Sequence, residues 1–145
     1  MRHLELNISL VKRRVEEIKK AVNGLRSLAS VGKDGFISDP NTCDAAKYRL
    51  ILAIESAVSI CNHIAARIGK KVPESYADCF LVLGDIGVIS KGLSERLARM
   101  AKFRNLLVHL YWQVDDEKIF DIIQNDLQDL EEYIRELKAF LERES

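Results

Sequence analysis

The sequence predicts an all-α protein, an up-and-down bundle of four long helices with one shorter helix added. Three observations carry this. Apolar residues recur at three- and four-residue spacing along most of the chain, glycine, proline and capping residues interrupt that pattern at only a few places, and strand-like alternation is nearly absent. The 145 residues suit a single domain spanning 1–145, enough to bury about two-thirds of the unfolded surface.

Each element follows from its own residues. From Arg2 to about Leu28, Leu6, Leu10, Val11, Ile18, Val22 and Leu25 form one apolar face between charges, which predicts an amphipathic first helix. Ser30 to Pro40 holds two glycines, a proline and turn formers, and reads as the longest loop. Asp39 before Pro40 then signals a helix start, because aspartate caps and proline is tolerated in the first turn. The second helix runs from about Asn41 to Ile68. With Leu50 to Ile54, Ala57, Val58, Ile60 and Cys61 around its axis, it belongs at the centre of the bundle.

Gly69 ends that helix and Lys70-Lys71-Val72-Pro73 makes a sharp connection. Ser75 with Asp78 is a capping pattern for a shorter helix through Phe80, Leu81 and Leu83, fading near Gly84 and Gly87. A fourth long pattern begins near Ser94, after Ser90-Lys91-Gly92, and carries Leu97, Met100, Ala101, Leu107 and Val108. Asp115-Asp116-Glu117 suits the positive end of a last helix reaching about Leu141, with Ile119, Ile122, Ile123, Leu127, Leu130, Ile134, Leu137 and Leu141 as its buried stripe.

Composition excludes several functions. Twenty-two basic and 22 acidic residues give a net charge of zero, unlike general nucleic-acid coat proteins, which carry a basic excess. The distribution is uneven. Between Lys91 and His109, Lys91, Arg96, Arg99, Lys102 and Arg104 stand against Glu95 alone, while acids dominate from Asp115 to Glu144. The segment reads either as a local phosphate-attracting patch or as one of two solvated faces of opposite sign. Cys43, Cys61 and Cys79 are odd in number and far apart, so they read as free, buried thiols. His3, His63 and His109 are isolated from one another and from acidic pairs, which gives no metal-ligand spacing and no expected cofactor. The first residues lack the apolar core of a signal peptide and no apolar run approaches a membrane span, so the expectation is a cytoplasmic protein without membrane contact.

The chemistry-bearing stretch is Arg104-Asn105-Leu106-Leu107-Val108-His109-Leu110-Tyr111. Histidine exchanges a proton near neutrality, arginine presents a charged planar fork to phosphate oxygens, and asparagine either donates to phosphate or orients the imidazole. Acid–base chemistry at a phosphate ester uses these types: a base, an acid and positive charge on the phosphorane. At about 100° per residue, Asn105 and His109 share a face, whereas Arg104 and His109 lie about 140° apart. A two-fold dimer in which both copies line one cleft solves this. Tyr111, seven residues after Arg104, is expected on the arginine's face.

An arginine, an adjacent asparagine, a histidine five positions after the arginine and a tyrosine two beyond it resemble the HEPN superfamily and its HepT-like branch. The similarity extends from about Tyr48 to Ile123 through Ala53-Ile54-Glu55-Ser56-Ala57, His63-Ile64, Pro73-Glu74-Ser75-Tyr76 and Phe103-Arg104-Asn105, with Leu110 departing from the usual polar residue. The resemblance implies a homodimeric, metal-independent endoribonuclease leaving a 2′,3′-cyclic phosphate. This would be the toxin of a type VII toxin–antitoxin system, with Arg104, Asn105 and His109 catalytic. It also implies a minimal nucleotidyltransferase antitoxin as partner, which silences the toxin by AMPylation of Tyr111. The alternative is a non-catalytic helical dimer that binds a nucleotidyltransferase or a nucleotide.

Four other residues have simpler readings. Glu55 reads as a paired core carboxylate, the alternative being contact with the basic motif, and His63 as a surface residue near a helix end. Trp112 reads as an anchor for packing or dimerisation, and Tyr76 as packing beneath a loop.

Overall fold

A computed structural model describes residues 6–69 and 71–144. The all-α bundle forms, with helices α1 (Ile8–Ala29), α2 (Lys33–Ile37), α3 (Pro40–Ile64), α4 (Tyr76–Asp85), α5 (Lys91–His109), α6 (Asp116–Asn125) and α7 (Leu127–Glu144). Four are long, as expected. The additional helices are α4 and α6, of ten residues each, and the five-residue α2.

Caps explain where the helices begin. Asn7 Oδ1 accepts from the Leu10 amide, so α1 starts at Ile8; the expected earlier start at Arg2 lies partly outside the described residues. Asp39 accepts from the Asn41 amide and Thr42 hydroxyl with Pro40 in the first turn, as its sequence signal predicts. Ser75 accepts from Asp78 N–H. Ser90 caps α5, which opens at Lys91, three residues before the expected start.

Three expectations require correction. The predicted loop from Ser30 to Pro40 contains α2, because fully buried Phe36 packs 5.4 Å from the Phe120 ring and draws the backbone into a helical turn. The last helix is two helices, broken at Asp126. Asn125 and Asp126 are poor helix-interior residues, and the break lets Ile119, Phe120, Ile122 and Ile123 face α1, α2 and α3 while α7 packs on α1 and α5. The second helix keeps α geometry only to Ile64, and Ala65–Gly69 is a wider, π-helical turn.

Helix α3 touches α1, α2, α4, α5 and α6, which is why apolar groups surround its axis. Contrary to the expectation, the run Pro40–Gly69 is long and apolar enough by composition to span a membrane, and half of its most apolar stretch is buried in the bundle. All three cysteines are free and buried. Tyr133, fully buried on α7, stands edge-on to Phe80 at 5.7 Å and donates its hydroxyl to the Ala57 carbonyl at 2.9 Å.

Helices α4 and α5 cross so closely that a Cβ on Gly84 would lie 2.4 Å from Ser94 Oγ and 2.7 Å from Ser94 Cβ. Gly84→Ala is therefore expected to lower stability by about 1–3 kcal/mol, read from denaturant unfolding. Ser94→Ala should not restore it, because the Cβ clash remains.

Candidate active site

Arg104 to His109 occupy the last turns of α5, and α3, α4 and α5 together hold the arginine. Arg104 projects from α5 with only 16% of its side chain exposed. Its Nη2 donates to Glu55 Oε1 of α3, and its Nη1 donates to Asn105 Oδ1 at 3.1 Å. The guanidinium stacks 4.8 Å from the Tyr76 ring centroid at the start of α4, and the Tyr76 hydroxyl donates to Glu55 Oε2 at 3.2 Å. Glu55 thus satisfies the arginine and the tyrosine together. Arg104 Nε is buried without a hydrogen-bond partner among the described residues.

Asn105 and His109 share the helix face that their spacing predicts. The asparagine oxygen is engaged by Arg104, so its amide N–H groups remain as donors. His109 is the last residue of α5 and exposed, and its imidazole makes no hydrogen bond among the described residues. Arg104 and His109 are not brought into a pair: the arginine's contacts run inward to α3 and α4, and the histidine faces solvent.

Tyr111 departs from its expected place on the arginine's face. Leu110 leaves helical geometry at φ −129° and ψ 42°, and Tyr111–Gln113 form a 3₁₀ turn, so counting helix rotation beyond His109 does not place the tyrosine. It lies instead against α3. Its hydroxyl donates to Asp44 Oδ1 at 2.5 Å, and Lys47 Nζ sits 4.5 Å from the ring centroid. Lys47, 6% exposed, pairs with Asp116 of α6 at 3.0 Å. The hydrogen bond to the Asp44 carboxylate, followed by burial, pushes the Tyr111 phenol up to about 12.

The basic stretch of α5 is partly neutralised. Arg96 pairs with Glu132 at 2.9 Å and Asp129 at 3.6 Å, so the basic and acidic segments face each other instead of forming two solvated faces. Arg99 and Lys118 line a cleft of about 350 Å³ together with Phe103, Asp126 and Asp129. Burial raises the Asp129 carboxyl above the usual range.

A family model described as "Ribonuclease HepT-like" matches residues 12–137, a span that includes all of these positions. The chain belongs to the HepT-like family. It is 26% identical over 130 residues to a protein described as "mRNA nuclease HepT" from Shewanella oneidensis, covering 90% of this chain and 97% of the relative. A protein described as "tRNA nuclease HepT" from Aphanizomenon flos-aquae is 24% identical over 132 residues, covering 91% of this chain and 90% of the relative. Among solved structures, the tri-AMPylated Shewanella oneidensis HEPN toxin in complex with MNT antitoxin superposes with a TM-score of 0.83 at 26% identity, over 90% of this chain and 97% of that one.

Within this HepT-like chain, sequence reasoning missed Tyr76 as a contributor to the site, and Glu55 is not the core carboxylate expected: it pairs with Arg104 of the basic motif, the alternative reading, with 35% of its side chain exposed. Asp44 and Lys47 went unremarked. A signal existed for Lys47, a charge where the face of the central helix would otherwise be apolar, with Asp44 one turn before it. His63 is not part of the site: its Nε2 accepts from the Asn7 backbone amide at 2.7 Å, and burial with Arg67 nearby lowers its pKa. Trp112 is 75% exposed, so it is not a packing anchor among the described residues.

Proposed function

We propose that this chain is an RNA-cleaving toxin that works as a homodimer in the cytoplasm, with Arg104, Asn105 and His109 at the reacting phosphate and AMPylation of Tyr111 as its off switch. The observation that carries the reading is the fixed guanidinium of Arg104 beside Asn105 and exposed His109 at one helix end. Its anchor to Glu55 and Tyr76 removes most of the entropy of positioning a long side chain, and Nη hydrogens not directed at those partners can meet a phosphorane.

The reaction is a transesterification. The ribose 2′-oxygen attacks phosphorus, the 5′-oxygen departs, and a 2′,3′-cyclic phosphate remains. Both proton transfers need an acid–base group, and each chain offers one exposed imidazole at the site. Two chains supply two. Leu106, Val108 and Trp112 in and beside the motif are exposed apolar side chains, 45%, 40% and 75% open, and are available to a second chain.

Tyr111 stands two residues beyond His109, so an AMP group there adds bulk and a phosphodiester charge at the mouth of the motif, where it competes with RNA. The partner for that step is a minimal nucleotidyltransferase, in keeping with the toxin–antitoxin complex among the structural relatives.

The test uses purified protein with and without a nucleotidyltransferase antitoxin and ATP. The unmodified dimer is expected to cleave RNA in the presence of EDTA and leave cyclic-phosphate ends. Treated protein should gain mass in AMP units at Tyr111 and stop cleaving. Tight binding of the antitoxin with no RNA cleavage in either state would replace this reading with a non-catalytic binding module.

A further inference from the structure

The hydroxyl of Tyr111 is not free. It donates to Asp44 Oδ1 at 2.5 Å, a short hydrogen bond between a phenol and a carboxylate that belongs to the same chain. Both residues are exposed, so a nucleotide carried by a second protein can reach the oxygen from solvent. We propose that Asp44 is the base that takes the Tyr111 proton during adenylyl transfer, so that the modified chain supplies part of the chemistry of its own silencing. This rests on Tyr111 being the AMP acceptor.

In that transfer Tyr111 Oη forms a bond to the α-phosphorus of ATP, and the bond from that phosphorus to the oxygen bridging to the β-phosphate breaks. Pyrophosphate leaves with the electron pair, and the phenol proton passes to Asp44 Oδ1 and then to water. The products are the tyrosyl–AMP phosphodiester, pyrophosphate and a proton.

Three features of the surroundings support this role. The neutral phenol is a weak nucleophile, and with its pKa held near 12 it is ionised in fewer than about one molecule in 10⁴ at neutral pH. Waiting for phenolate would be slow, whereas a carboxylate already hydrogen-bonded to the proton can remove it as the phosphorus–oxygen bond forms. The charged and titratable groups around the ring are Asp44, Lys47 and the Cys43 thiol of α3 and Asp116 of α6. Lys47 is paired to Asp116 at 3.0 Å and its Nζ lies over the ring face, so Asp44 is the group in line with the hydroxyl.

The geometry also sets the order of events. Once Oη carries phosphorus it has no proton to give Asp44, and the new negative charge adjoins Asp44 and Asp116, with Lys47 the opposing cation among the described residues. The Asp44–Tyr111 contact therefore belongs to the unmodified chain and prepares it for the first transfer.

The experiment compares wild type, Asp44→Asn and Asp44→Glu with the same purified nucleotidyltransferase and Mg-ATP between pH 7 and 9, following the first AMP addition by intact mass. Circular dichroism establishes that each variant is folded. The Asp44→Asn variant keeps the size of the side chain and an accepting oxygen but cannot hold the proton. Its rate is expected to fall by about 10²-fold or more at pH 7 and to climb about tenfold per pH unit, because reaction then depends on phenolate. Wild type and the glutamate variant should show no such climb. Ionisations of the nucleotidyltransferase cancel in the ratio of rates. Equal rates for wild type and Asp44→Asn, or a deficit that is the same at every pH, would overturn the base assignment while leaving Tyr111 as acceptor. Absence of AMP on wild-type Tyr111 would overturn both readings.

Discussion

His109→Ala is expected to reduce RNA cleavage by at least about 10³-fold with almost no change in stability. The two halves of that result have separate causes. Loss of an acid–base group removes a contribution of roughly 10² to 10⁴ in rate, and in a dimer the one substitution removes both imidazoles. His109 is exposed at the end of α5 and its imidazole makes no hydrogen bond among the described residues, so its removal disturbs no packing. Stability should stay within about 0.5 kcal/mol.

Arg104→Ala should lose activity to a similar extent but destabilise the protein as well. It leaves Glu55 without its cation and Tyr76 without the stacked guanidinium. With 35% of the Glu55 side chain exposed to screening water, about 1–2 kcal/mol is the expected loss, less than for a fully buried pair. Arg104→Lys keeps a charge but not the fork that engages Glu55 and Asn105 together, so it should recover little activity. Initial rates on a defined RNA and urea unfolding of the same preparations check each statement. Full activity in the His109 variant would end its assignment as a proton-transfer group.

Tyr111→Phe is expected to produce a toxin that its nucleotidyltransferase cannot silence by modification. The ring keeps its place beside Lys47, but the oxygen that would carry AMP is gone, along with the hydrogen bond to Asp44. That bond joins two exposed groups, so its loss should change stability by no more than about 1 kcal/mol. Co-expression with the nucleotidyltransferase should permit growth for wild type and arrest it for Tyr111→Phe. Intact mass should show AMP on the first and none on the second. AMP recovered on the phenylalanine variant, or growth equal to wild type, would remove Tyr111 from the switch. The double variant Tyr111→Phe/His109→Ala should grow, which ties the arrest to RNA cleavage.

Local rules carried the helices well. Asp39-Pro40 and Ser75 mark starts because a side-chain oxygen answering a free backbone amide is a matter of a few neighbouring residues; Ser90 caps α5 by the same rule, three residues before the expected start. Phe36 shows where such rules stop. One aromatic in a glycine-rich stretch carries no period, and its burial against Phe120, far along the chain, is what winds α2. Arg96 is similar: its charge was legible, but the acids that neutralise it come from α7.

Helical class, the central position of α3 and the cluster of Arg104, Asn105 and His109 as near neighbours in sequence, though not as a formed site, were legible along the chain, because periodicity, capping and short spacing are properties of neighbouring residues. The sequence also placed Tyr111 near that cluster, though not its direction. Tertiary structure alone decided which partners hold those groups: Glu55 and Tyr76 on the arginine, and Asp44 on the tyrosine hydroxyl. The physical reason is that helix rotation sets a side chain's bearing only while the helix lasts. Leu110 ends α5 one residue before Tyr111, and beyond that point the surface of α3 determines where the tyrosine points.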